Sequence, residues 1–221
     1  VPDFTLAVDG ADDGTLRVLE FEGAEGMSEL WRFDLQLTSR DPAVEFADMV
    51  GKKAVLKMVT GDGERVSEGI ISRFEQQHHG RVLTYYSARL VPKLFTLTLR
   101  KRCRVFQEKN TVDILRKVLA DNGLSGSAVA FKLNATYPVR KYCVQYRETD
   151  FDFISRLMEE EGITYFFEHQ DGHQAVVLMD KASSHTVIEG EAEVAFRDED
   201  TGMSGADEVR AFAFRRRSAA L

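Results

Sequence analysis

Glu159, Glu160 and Glu161 form an unbroken run of carboxylates, with His169 and His173 a short way downstream. Paired carboxylates divide acid and base roles when an enclosed pocket separates their pKa values. Nothing around this run builds such a pocket. Glu159 and Glu161 are also spaced so that they do not face each other on a helix. Three acids at a helix C-terminus oppose the helix dipole, so helix stability does not explain them. They read as a solvated face, with a partner-docking patch as the other reading. A hydrolase of cell-wall glycan working through Glu159 and Glu161 is a rival from another class. His169 and His173 are separated by a turn, with no Cys or third His nearby, so they do not read as a metal site. His78 and His79 are adjacent, and adjacent strand residues face opposite sides. Cys103 and Cys143 lack metal-ligand spacing; they read as two reduced, partly buried thiols, a single disulfide being the alternative. Gly61-Asp62-Gly63 lacks the Lys-Ser/Thr of a phosphate cradle. Gly123-Leu124-Ser125-Gly126-Ser127 lacks the second Gly of a nucleophile elbow. Arg215-Arg216-Arg217 reads as the polar edge of a strand, with contact to an anionic partner as the alternative. The sequence therefore predicts no catalytic, cofactor-binding or metal-ligating residue, no cofactor, and no enzyme.

The elements that carry these residues are best marked between Lys141 and His169. Val144 and Tyr146 alternate with Gln145 and Arg147, the pattern of a half-buried strand with the first pair inward. Thr149 offers a hydroxyl to the free amides of a new helix, with Asp152 completing a start like a capping box. Phe151, Ile154, Leu157 and Met158 form the expected apolar stripe, and Asp152 and Arg156 are spaced for a weak ion pair. Gly162 stands where a left-handed residue ends a helix. Ile163, Tyr165 and Phe167 then alternate with Thr164, Phe166 and Glu168. Gln170-Asp171-Gly172-His173 is turn chemistry, and Ala175 to Met179 returns as a partner strand. An earlier helix echoes this one at an offset of 39: Asn110 caps it, Leu115, Val118 and Leu119 line it, and Asn122-Gly123 ends it. Shared capping grammar is the preferred reading, a duplicated unit the alternative.

Upstream, breakers separate strand candidates at Phe4 to Val8, Leu16 to Phe21, Leu30 to Leu37, Lys53 to Val59, Val66 to Phe74 and Val82 to Val91. Six short strands at this spacing suggest a closed or nearly closed barrel. Val44 to Val50 reads as a short helical connection. Beyond Ser184 the chain returns to strands at Ala192 to Phe196 and Glu208 to Phe214, too few to stand alone. The fold class is α+β and mainly β: a first barrel over 1–93, an α+β domain over 94–186, and the start of a second barrel over 187–221.

The chain has 221 residues, 43% hydrophobic and 29% charged, with a formal charge of −7. This suits a folded globular protein and argues against a nucleic-acid partner. No apolar run reaches the roughly 20 residues of a membrane span, and no signal-peptide pattern opens the chain. It begins Val1-Pro2 rather than with Met, which reads as a fragment.

Val144-Gln145-Tyr146-Arg147-Glu148-Thr149-Asp150-Phe151 and Glu160-Glu161-Gly162-Ile163 resemble the signature of the VgrG proteins of type VI secretion systems and the related contractile-phage tail hubs. Leu90-Val91-Pro92-Lys93-Leu94-Phe95, Arg104-Val105-Phe106-Gln107 and Thr111-Val112-Asp113-Ile114-Leu115 extend the resemblance in the same order, with Phe95 where tryptophan is common. The resemblance implies a structural hub: a homotrimer whose paired tube-domain barrels form a ring on a hexameric Hcp-like inner tube and adapt it to a spike. Baseplate components, a PAAR-like tip protein and effectors are the further implied partners, the last two through regions beyond this sequence. It also implies a cytoplasmic assembly that is exported on firing, without a signal peptide. A contractile-phage tail hub or late control protein is the alternative.

Overall fold

Strict alternation builds the first part of the molecule. In a computed structural model, which describes residues 3–12, 14–60, 63–170, 173–181, 183, 195–196 and 208–209, Phe33, Leu35 and Leu37 of β3 (Arg32–Ser39) are all buried. Between them Asp34 accepts a hydrogen bond from Arg89 at 2.7 Å on the opposite face. Strands β1 (Asp3–Val8), β2 (Arg17–Ala24), β3, β4 (Lys53–Thr60), β5 (Gly63–His79) and β6 (Thr84–Val91) form a closed barrel in the order β1-β2-β3-β6-β5-β4. Closure removes free edges that would invite aggregation. The seam is uneven: β1 pairs with β4 along its whole length but meets β2 only at Thr5 and Arg17. β5 runs past both ends of the expected strand. Register slips at Ile71/Arg73 and Gln76/His78 let it bend and stay on the barrel. The expected helical connection is a single 3-10 turn at Phe46–Asp48.

A second core follows, built on Leu94, Leu97, Phe106, Ile114, Leu115 and Leu157 among others. Its elements are β7 (Lys101–Lys109), α1 (Thr111–Asp121), β8 (Val129–Lys132), β9 (Arg140–Thr149), α2 (Asp150–Glu161), β10 (Thr164–Gln170) and β11 (His173–Met179). β7 and β9 form an antiparallel ribbon. β8 and β10 flank β11, parallel and antiparallel respectively. Both helices start on the expected caps: Asn110 Oδ1 accepts from Asp113 N at 2.8 Å, and Thr149 Oγ1 from Asp152 N at 3.0 Å. Gly162 ends α2 at φ 68°, a left-handed conformation that disfavours a β-carbon. The echo between the helices goes beyond capping. Each belongs to a strand–helix–strand unit whose first strands pair together and whose last strands both pair with β11.

Three local expectations are corrected. β9 buries Cys143 and Gln145 and leaves Tyr146 66% exposed, the reverse of the predicted face. A buried glutamine is tolerated because every part of its amide is bonded, as described below. On α2, Phe153 joins Ile154, Leu157 and Met158 in the core, stacking on Phe106 at 5.5 Å, while Phe151 is half-buried at the helix edge. Arg156 does not pair with Asp152, which accepts from the Thr149 hydroxyl. It donates instead to Glu148 at 2.8 and 2.9 Å and to the Val144 carbonyl at 2.7 Å, tying α2 back to β9.

The barrel and this layer meet around Trp31, 1% exposed, whose ring contacts Phe33, Phe167 and His169. Gly69 makes room for it. A β-carbon there would lie 2.6 Å from Trp31 and 2.2 Å from the Val91 carbonyl oxygen. Ser28 N donates to the Tyr165 carbonyl at 2.8 Å, pinning the β2–β3 loop to β10. The chain divides into two compact units, Val1–Lys181 and Ala182–Leu221. In the second, β12 (Ala195–Phe196) and β13 (Glu208–Val209) form a short parallel pair, and the rest of both expected C-terminal strands lies outside the described residues.

Leu157 is fully buried in the second core. Leu157→Asp would place an unpaired charge there, and is expected to cost more than about 4 kcal/mol. Urea denaturation followed by tryptophan fluorescence and circular dichroism measures this; a midpoint matching the parent would overturn the assignment of that helix face.

Candidate functional site

Asp150 is the first residue of α2 and is 0% exposed. Its carboxylate is placed by the N-terminus of its own helix, where the aligned peptide dipoles favour negative charge. Oδ1 accepts from Arg104 Nη2 at 2.6 Å and Gln145 Nε2 at 2.9 Å, and Oδ2 from Asn122 Nδ2 at 2.9 Å. Arg102 Nε adds an ion pair to Oδ2 at 3.3 Å. Gln145 accepts in turn from Arg104 Nε at 2.8 Å and donates to the Glu148 carbonyl. Arg104 reaches on to Asp121, and Asn122 to the Val118 carbonyl. One buried carboxylate thus joins both ribbon strands to the end of α1 and the start of α2. With both oxygens hydrogen-bonded and no solvent access, it is not presented to a substrate. It is a clamp.

A second cluster resolves the acidic run. Arg140, at the start of β9, donates to Glu161 at 2.6 Å, to both oxygens of Glu160 at 3.0 and 3.2 Å, and to Thr111 Oγ1 at 3.2 Å. Thr111 also donates to Glu161 at 2.8 Å. Burial alone would raise the Glu161 pKa, but the bonds from Arg140 and Thr111 outweigh it and hold it below the usual range. Glu159 and Glu160 are exposed, as the solvated-face reading expects, although Glu160 also pairs with Arg140; Glu161, with a side chain only 16% exposed, is the one the cluster draws in. The carboxylate pair of the hydrolase reading is broken by the same contacts.

The remaining candidates separate. His78 stacks on Tyr85 at 4.2 Å, while His79 Nδ1 lies 2.7 Å from Thr84 Oγ1. His169 packs against Trp31 with neither ring nitrogen hydrogen-bonded among the described residues. Burial lowers its pKa, Arg65 adding to the effect and Glu25 and Glu68 opposing it. Among the described residues there is no group of three or more His, Cys, Asp or Glu placed to hold a metal. Both cysteines are free: Cys103 is exposed, and Cys143 is buried with its pKa raised chiefly by that burial. Gly123 accepts from Lys93 Nζ in an ordinary turn. Arg215, Arg216 and Arg217 lie outside the described residues. What sequence reasoning missed is the cluster on Asp150. The available signal was an acid directly after a capping threonine, but its partners on β7 depend on a long-range strand register.

Removing Asp150 leaves Arg102 and Arg104 without their common partner in a largely buried site. Asp150→Ala is expected to cost about 3–5 kcal/mol, with Asp150→Leu plus Arg104→Met recovering part of it. Denaturant midpoints of the single and double variants decide this. A second expectation concerns acid. His169, Glu161 and Asp180 all have folded pKa values below their ordinary ones; for Asp180, backbone bonds from Ala135 and Asn134 and one from Tyr137 overcome burial. The unfolded chain therefore binds more protons, and stability must fall as pH falls. The loss should begin near the ordinary histidine value of about 6.5, continue towards the depressed value of His169, and resume below about 4.5 as the carboxylates protonate. Urea midpoints across pH should show His169→Phe removing the first part only; an unchanged first part would refute the role given to His169.

Known proteins share this architecture. The profile of the family described as phage tail baseplate hub (GPD) matches residues 24–220. The type VI secretion system spike protein VgrG1c of Pseudomonas aeruginosa is 37% identical over 171 residues, 77% of this chain and 23% of the relative. The actin cross-linking toxin VgrG1 of Vibrio cholerae is 35% identical over 192 residues, 82% of this chain and 17% of the relative. This chain thus spans less than a quarter of either. The c3393 protein of E. coli, a component of the type VI secretion system with structural similarity to the T4 bacteriophage tail proteins gp27 and gp5, superposes with a TM-score of 0.78. The identity is 26%, over 89% of this chain and 53% of that one. Among the described residues no helix is long and apolar enough to cross a membrane. On the profile match and the shared architecture, the chain belongs to the phage tail baseplate hub family, with the likeness to VgrG that its motifs implied.

Proposed function

We propose that this chain is the hub portion of a type VI secretion spike, a structural part with no catalytic centre of its own. The observation that carries this reading is a closed barrel joined to a charge-clamped α+β layer, within a family match that covers most of the chain. In this reading residues 1–93 are a first tube barrel, 94–186 a peripheral domain, and 187–221 the opening of a second barrel. Three copies would present six barrels to a hexameric Hcp-like tube. A trimer can meet a hexamer in register only if each subunit offers two equivalent surfaces. Baseplate components would contact the hub, and a PAAR-like tip and effectors would attach through regions beyond this sequence. The hub would assemble in the cytoplasm and leave it on firing.

A phage-type tail hub is the second reading, favoured by the family's own description. Both share one assembly. A version of the chain extended through its second barrel should be trimeric by size-exclusion chromatography with light scattering. A strict monomer at assembly concentrations would overturn the hub reading in either form.

A further inference from the structure

The β7–β9 ribbon has one face buried and one open. Arg104, Phe106, Cys143 and Gln145 turn towards the helices, as the two clusters above require. The opposite face carries Cys103, Val105, Tyr142, Val144 and Tyr146. Val105 is 53% exposed, Tyr142 61% and Tyr146 66%. Leu99 and Val139, just outside the two strands, are also exposed. Three of the eleven large apolar side chains exposed among the described residues thus share this face, with Leu99 and Val139 flanking opposite ends of the ribbon. Its register stacks them in pairs: Cys103 beside Tyr146, and Val105 beside Val144.

Charge at one end of this face has a single sign. Arg100, Lys101 and Arg147 are exposed, and among the described residues none is in an ion pair. Arg147 is the extra residue of a bulge, held at φ 52°, with its guanidinium 5.3 Å from the centre of the Tyr146 ring. The neighbouring Glu148 is already committed to Arg156, and Glu108 lies towards the far end. On a chain of net charge −7 such a patch is locally inverted. It attracts an acidic partner segment that the rest of the surface repels, and disfavours the same patch of a second copy. The backbone adds a third feature. Arg156 occupies the Val144 carbonyl of β9, whereas the outer edge of β7 makes no hydrogen bond to another element among the described residues. An added strand finds its donors and acceptors there.

We propose that the outer face and free edge of this ribbon dock an acidic, extended segment of a partner protein. Its carboxylates would meet Arg100, Lys101 and Arg147, and its apolar side chains would cover Val105, Tyr142 and Tyr146. The inference stands apart from hub assembly, because oligomeric state does not enter it.

The test uses the whole chain and a fluorescent synthetic peptide alternating Glu with Val, about ten residues long so that at about 3.3 Å per residue it runs the length of β7. Fluorescence anisotropy should show saturable binding that weakens as salt rises. Tyr142→Ser with Tyr146→Ser, and separately Lys101→Glu, should each weaken it at least about tenfold, as loss of aromatic anchors and of steering charge does. The thermal melt should not move, since none of these side chains is in either core. The proposal is overturned if the peptide does not bind, or binds the variants as it binds the parent. It is equally overturned if a Lys-Val peptide or an oligothymidylate of the same length binds as tightly.

Discussion

Burying a charge is expensive unless every lone pair finds a donor, and Asp150 is the place where this chain meets that cost. Its donors come from β7, β9 and α1, three elements that have no reason of their own to meet at one point. Once the carboxylate sits at the head of α2, each of those elements is held in register by a hydrogen bond it cannot replace with water. A purely apolar contact between ribbon and helices would tolerate a slide of one residue. Arg104 and Gln145, paired across the ribbon and both bonded to Asp150, do not. The clamp therefore contributes register more than net stability, because the Coulombic gain is set against the desolvation of two arginines and an aspartate.

The same logic separates what the sequence could tell from what it could not. The barrel strands, the caps Asn110 and Thr149, the glycine stop at Gly162 and the hairpin after Gln170 are local signals, each written within a few residues, and the structure follows them. The inward face of β9 was misread because Gln145 looks polar and Tyr146 looks apolar. Only the identity of the residue opposite, Arg104, reveals that the glutamine is the buried member. Of the acidic run, Glu161 departs from the solvated-face reading for the same reason: Arg140 reaches it from the start of β9, not from its own helix. Long-range partners decide whether a polar residue is solvated or clamped, and single-sequence periodicity is blind to them. Motif resemblance carried the family without this knowledge, since the motif residues keep their order whatever their roles.

Those roles explain why the signature has its wording. Gln145, Glu148, Thr149 and Asp150 are successively a clamp donor, the anchor of Arg156, a helix cap and the clamp carboxylate. Arg147, between them, is the bulge that shifts register so that Glu148 and Thr149 reach those positions. Gln145, Glu148, Thr149 and Asp150 each do a positional job.

Shape has to be kept across the joint to the barrel as well, and there the means differ. Trp31 fills the junction as a large apolar side chain, and Gly69 cannot grow a side chain without striking both that ring and the Val91 backbone. Such a joint is rigid through close packing, because interiors at crystal-like density deform only at a cost. Beside it sits the half-buried His169, both of whose ring nitrogens are buried without a hydrogen-bond partner among the described residues. Both oxygens of Asp150 are hydrogen-bonded in its clamp, whereas this junction keeps an ionisable ring that acid would charge. Acid therefore acts on the two regions differently: protonating His169 puts an unpaired charge into the packed joint, whereas Asp150 already has its arginine partners in place.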